Sequence, residues 1–228
     1  MVKGKKIGGV RMKFKIILTV ILILISCGIA NATSISNWGP TGIMEIPTAD
    51  VLGFGIGTAP NIALYSYVSS GQEYTLNLMR LPFTLGLGDG LEFGITDVTI
   101  STSEPGVLES SGIVLHGKIS LIEEKTLLPG IAVGGIFDPS NILGENSFYL
   151  VISKGLGNLR GHVGIGSGVY DGIFWGVEFN ITKEMEVVTF YKSQDIGFGL
   201  KLDLLPSVNI SMGYYKGLTL QIATSVTL

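Results

Sequence analysis

From Asp195 to Leu228 the chain states one pattern three times. Ile196, Phe198, Leu200, Leu202 and Leu204 alternate with Asp195, Gly197, Gly199, Lys201 and Asp203. After Leu205-Pro206-Ser207, Val208, Ile210, Met212 and Tyr214 alternate with Asn209, Ser211, Gly213 and Tyr215. After Lys216-Gly217, Leu218, Leu220, Ile222, Val226 and Leu228 share a face opposite Thr219, Gln221, Ala223, Ser225 and Thr227. A period of two sends successive side chains to opposite faces of a strand. The stretch therefore reads as three antiparallel strands of about ten residues, a length that crosses a bilayer at a tilt of about 45°.

The same grammar runs back through the chain. Strands are expected over 55–67, 74–85, 91–98, 112–122, 128–137, 147–154, 159–169, 172–182 and 185–191, separated by Gly, Asp, Asn and Pro. Pro60 interrupts the first, and Val187-Val188 blurs the alternation of the ninth. The total is about twelve, an even number, as up-and-down membrane barrels require. The connections at 86–90, 123–126, 155–158, 182–184 and 205–207 are short, while the opposite set holds 97–111 and 138–146. Short turns at one end and longer loops at the other are the barrel pattern.

Of 228 residues, 46% are apolar, 14% are charged and 33 are Gly, about twice the usual Gly share of roughly 7%. Mean hydropathy is +0.50. Beyond residue 30, no apolar run reaches the roughly 20 residues of a spanning helix. The net charge is −3, with no basic block past the N-terminus, which argues against nucleic acid as a partner.

The chain opens as a signal peptide over 1–32. Lys3, Lys5, Lys6, Arg11, Lys13 and Lys15 precede an apolar core from Ile16 to Ile25, and Ala30-Asn31-Ala32 forms an A-x-A cleavage site. Cys27 is the single cysteine, so no intrachain disulfide forms. It has two readings: a lipidation site in Leu24-Ile25-Ser26-Cys27, or a small residue removed with the signal peptide. Residues 33–50 then read as a lead-in or plug segment with tight turns at Gly39 and Gly42, or as a loose tether. Residues 51–228 form the barrel.

In the middle strands, Ile173, Trp175, Val177, Phe179 and Ile181 oppose Gly176, Glu178 and Asn180, and Val163 and Ile165 oppose Arg160, His162 and Gly164. A soluble barrel or sandwich would turn the apolar face inward, and a membrane barrel turns it to lipid around a polar lumen. The signal peptide, the Gly content and the strand length favour the membrane form. The polar face then supplies candidate lumen residues: Glu92, His116, Lys118, Arg160, His162, Glu178, Asp195, Lys201 and Asp203. They serve either as a selectivity lining or as a salt-bridged packing network. Inward Gly leaves room along the wall for a plug.

The sequence contains no G-x-S-x-G and no H-E-x-x-H, and one Cys makes no cysteine zinc site. No catalytic residue, cofactor or metal is assigned. His116 and His162 have Ser, Asp and Glu on neighbouring strands, the minimum for a lipid-modifying hydrolase.

Gly39-Pro40-Thr41-Gly42-Ile43-Met44-Glu45-Ile46-Pro47-Thr48-Ala49 resembles the opening of the YjbH-like outer-membrane proteins, associated with bacterial exopolysaccharide loci. The residues that carry the resemblance are Gly39, Gly42, Pro47, Thr48 and Ala49. Gly88-Asp89-Gly90-Leu91-Glu92-Phe93-Gly94 is similar to a hairpin common in that group. The chain is shorter than full-length members and ends in Leu228 rather than the Phe favoured as an assembly signal. The resemblance implies an outer-membrane barrel acting as a channel or accessory in surface-polysaccharide export. Its expected partners are membrane lipid, the barrel assembly machinery, and a polysaccharide or export proteins. A closed structural or adhesion barrel acting through its longer loops is the alternative.

Overall fold

The computed structural model describes residues 34–107 and 109–227. The signal peptide, its cleavage site and Cys27 lie outside the described residues. A short hairpin, β1 (Gly42–Ile43) and β2 (Ile46–Pro47), precedes the barrel. The barrel strands are β3 (Gly55–Thr58), β4 (Asn61–Ser69), β5 (Gln72–Gly86), β6 (Leu91–Thr102), β7 (Ser110–Ile122), β8 (Gly130–Phe137) and β9 (Ser147–Leu156). They continue as β10 (Leu159–Gly166), β11 (Gly172–Asn180), β12 (Met185–Lys192), β13 (Asp195–Leu205), β14 (Val208–Tyr214) and β15 (Gly217–Thr227).

From β5 onward each strand pairs antiparallel with the next. β15 pairs with β14 on one side and with both β3 and β4 on the other, and β3 and β4 both pair with β5. β3 and β4 are thus two halves of one strand, broken at Ala59-Pro60. Proline has no N–H to give the ladder, yet its carbonyl still accepts from Ile222 N at 3.1 Å. Among the described residues the result is a closed, all-antiparallel, twelve-stranded barrel with no free sheet edge.

Burial decides which way the faces point. Ile95, Ile113, Val163, Ile165, Ile173 and Phe198 are exposed, while Glu92, Lys118 and His162 are buried. An apolar exterior around a polar interior is the membrane arrangement, inverted from a soluble barrel. No helix among the described residues is long and apolar enough to cross a membrane. The strands themselves do the crossing.

Three expectations need correction. β6 runs on to Thr102 and β7 begins at Ser110, so the connection expected over 97–111 shrinks to 103–109. The far end of the barrel also has tight turns at 70–71, 193–194 and 215–216 beside its long 138–146 loop. Loop lengths are therefore less sorted than the sequence suggested. The strand expected over 159–169 stops at Gly166, and Gly168–Tyr170 forms a 3-10 turn that buries Tyr170.

Candidate functional site

The lumen is occupied by the chain's own entry segment. Residues 34–52 cross it, and nearly all of them are buried. The inward glycines give the segment its seat. A Cβ on Gly176 would press on Ile46 and Ile43, and one on Gly199 or Gly213 would strike Met44. Gly39 adopts φ +113, a conformation that disfavours any Cβ, and it packs beneath the His116 ring. Burying Ile35, Ile43, Ile46 and Leu52 stabilises the seat by roughly 1.5–3 kcal/mol per side chain.

Polar anchors surround this apolar contact. On β6, Glu92 accepts from Thr41 N and Leu52 N, each at 2.7 Å, and from the Thr41 hydroxyl. Lys118 on β7 lies 3.2 Å from Glu92 and donates to the carbonyls of Thr41 (2.7 Å) and Thr48 (3.3 Å). Thr84 and Thr96 donate to the carbonyls of Gly39 and Trp38. Gln221 on β15 donates to Ile35 O and to the Asn37 side chain.

A second anchor lies deeper, at the tip of the β1–β2 hairpin. The Glu45 carboxylate receives Arg80 Nη2 at 2.8 Å and Nη1 at 3.3 Å, a two-pronged contact from β5. Lys192 on β12 reaches the same carboxylate at 3.3 Å. Asn37 and Trp38 Nε1, from the plug itself, donate to it at 2.8 and 2.9 Å. Burial alone would raise the Glu45 pKa, but Arg80 and Lys192 outweigh it and hold the carboxyl well below the usual range. Arg80 also stacks on Trp38, 4.6 Å from the ring centre.

The third polar group is a chain across β9, β10 and β11. His162 Nε2 donates to Glu178 at 2.6 Å, which leaves Nδ1 to accept from the Ser153 hydroxyl at 2.8 Å. Ser153 Oγ in turn accepts from Ala49 N at 2.8 Å. This is a Ser-His-acid sequence of contacts, and its serine is spent on tethering the plug beneath a fully buried surface.

The remaining sequence candidates spread along the wall. Arg160 stands at the end where the chain enters and pairs with Asp50 and Glu124, each at 2.7 Å. Lys201 faces Glu186 at 3.4 Å. Asp203 is half-buried, with one carboxylate oxygen free of hydrogen bonds. Asp195 lies at the opposite, far rim, half exposed and paired with Lys216 at 2.9 Å. His116 bonds Thr84 through Nε2, and its Nδ1 makes no hydrogen bond. The structure thus gathers Glu92 with Lys118 and His162 with Glu178, and sets Asp195 apart.

Sequence reasoning missed Arg80, Lys192, Glu186 and Glu45. On the inward face Arg80 follows Leu78, and Lys192 follows Val188 and Phe190, all buried apolar residues. A polar-inside rule passes over a cation in such company.

A closed antiparallel barrel with an apolar coat around a polar interior is the architecture of a transmembrane β-barrel. The chain is similar to an outer membrane channel from Pseudomonas putida F1, with 12% identity over 78% of this chain and 97% of that one, TM-score 0.48. It is also similar to the KdgM porin, with 11% identity over 76% of this chain and 99% of that one, TM-score 0.45. A mutant of Rh. blastica porin aligns at 6% identity over 75% of this chain and 99% of that one, TM-score 0.36. No protein-family model matches the sequence, and no curated protein matches it.

Proposed function

We propose that this chain is a non-enzymatic barrel of the bacterial outer membrane that serves surface-polysaccharide export as a channel held shut by its own entry segment. The observation that carries this reading is the plug: residues 34–52 fill the lumen and bond to β4, β5, β6, β7, β9, β10, β12 and β15. The polysaccharide part rests on the YjbH-like resemblance. Its motif residues are the plug's own working parts: Gly42 pairs with Pro47 across the hairpin, the Thr48 carbonyl receives Lys118, and Ala49 N holds Ser153. That the first of the two resembling motifs lies in the lumen stopper supports a shared way of closing a conduit.

The second reading, a permanently closed structural or adhesion barrel, is favoured by how completely that segment is buried. Bilayer conductance separates the two. The protein is expected to pass almost no current as it stands, and stepwise current once Glu45→Gln and Glu92→Gln loosen both anchors. If the double variant still runs as a folded barrel on an unboiled gel and conducts nothing, the channel reading falls and the closed barrel stands.

A further inference from the structure

Among the described residues, most of the lumen-facing cations have a counter-ion on the barrel wall itself. Lys118 has Glu92 on the neighbouring strand, Lys201 has Glu186, and Arg160 has Glu124 at the rim. Arg80 and Lys192 are different: among the described residues, their ion pairs are with Glu45 alone, and Glu45 belongs to the plug. If the plug withdraws, the wall keeps two adjacent cations without a counter-charge.

Both cations also have partners in the barrel itself. Arg80 Nε donates to Asn61 Oδ1 at 2.7 Å, and Asn61 is its register partner on β4. That bond fixes the guanidinium plane and leaves the two terminal nitrogens facing the lumen. Lys192 Nζ lies 5.5 Å from the rings of Tyr170 and Tyr215, both outside the plug. The Tyr215 hydroxyl donates to the Lys192 carbonyl at 2.9 Å. A guanidinium fork matches a carboxylate in two parallel bonds, while an ammonium adds a point charge. Aromatic faces beside such a pair suit a ring-shaped solute.

We propose that Arg80, Lys192 and Asn61, flanked by Tyr170 and Tyr215, form a recognition site for acidic saccharides, and that Glu45 is an internal stand-in for their carboxylate. This inference rests on the channel reading and narrows its substrate class. In the shut state Glu45 satisfies both cations. In the open state an anionic sugar replaces it, so the site rewards passage of carboxylated solutes over neutral ones.

The test uses the full chain carrying Glu45→Gln, alone and combined with Arg80→Gln, Arg80→Lys or Lys192→Gln. Each is first checked for a folded band on an unboiled gel. Reversal potential is measured across a bilayer in a potassium chloride gradient, and current is titrated with sodium glucuronate and with glucose. Thermal unfolding of the same variants is followed with both sugars. The expected result is anion selectivity in Glu45→Gln, block and thermal protection by glucuronate, and neither effect with glucose. Adding Lys192→Gln or Arg80→Gln should abolish selectivity and raise the half-blocking glucuronate concentration tenfold or more. Arg80→Lys, which keeps charge and loses the fork, should fall between and serves if Arg80→Gln does not fold.

Current that is unselective, or selectivity untouched by these changes, overturns the site and leaves the channel standing. Folded variants that carry no current even after Glu92→Gln is added overturn the channel reading. Glucuronate protection that persists undiminished in Lys192→Gln overturns the site in that case as well.

Discussion

The plug is held at two carboxylates that work in opposite senses. Glu92 belongs to the wall and grips plug backbone, while Glu45 belongs to the plug and is gripped by wall cations. At Glu92 the counter-ion, Lys118, is on the next strand, so the wall is electrically complete with or without its guest. At Glu45 the balance exists only while the guest is present. A buried ion pair costs little when both charges go together and much when one is stranded. The first anchor is therefore a passive clasp, and the second makes plug and wall depend on each other.

The largest effect is expected at the second anchor. Glu45→Gln strands Arg80 and Lys192 and should cost about 3–5 kcal/mol, read as a drop in the temperature at which the unboiled gel band is lost. Retention of the parent temperature would show that water already reaches both cations. At the first anchor, Glu92→Gln should destabilise strongly, and adding Lys118→Met should restore much of the loss. A double-mutant cycle should give a coupling of about 0.5–3 kcal/mol. No coupling would mean that Glu92 acts only through Thr41 and Leu52.

A smaller effect is expected from the seat. Gly199→Ala puts a methyl against Met44 and should cost about 1–3 kcal/mol, with increased bilayer current. Acid should separate the anchors further. The Glu45 carboxyl is held below its ordinary value of 4.5, so its stabilisation is complete above that pH and is lost only in stronger acid. Closed-state current should stay flat from pH 7 to pH 5. Opening within that window would move the switch to another group. The smallest effect is expected at the far rim, where Lys216→Ala breaks a half-exposed pair with Asp195 and should change stability by less than about 1 kcal/mol.

The alternation that made the barrel legible failed in a patterned way. It worked where the outer face meets lipid and the inner face meets charge, as at Glu92, His116 and Lys118. It failed where protein fills the lumen. Val98 and Ile100 point inward with Thr99 and Ser101 outward, so the end of β6 read as loop. Val188 and Phe190 hid Lys192 in the same manner. The inward glycines signalled room for a guest, but nothing in a period-two pattern names which wall residue meets which plug residue. Glu45 pairs with residues 35 and 147 positions away, a relation set by ring closure. Asp195 shares its face with Lys201 and still reaches no lumen contact, because its place at the strand end lifts it to the rim.

The crossing of the plug from wall to wall also bears on shape. Ile35 presses on β3, Ile43 and Ile46 on β11, Met44 on β13 and β14, and Ala49 is bonded to β9. A hollow ring of strands resists flattening only through its hydrogen bonds and bilayer surroundings, whereas a close-packed interior has low compressibility. These contacts act as spokes. The shut molecule keeps a stiff, near-fixed cross-section under lateral pressure from the bilayer, and the emptied one would be free to become elliptical.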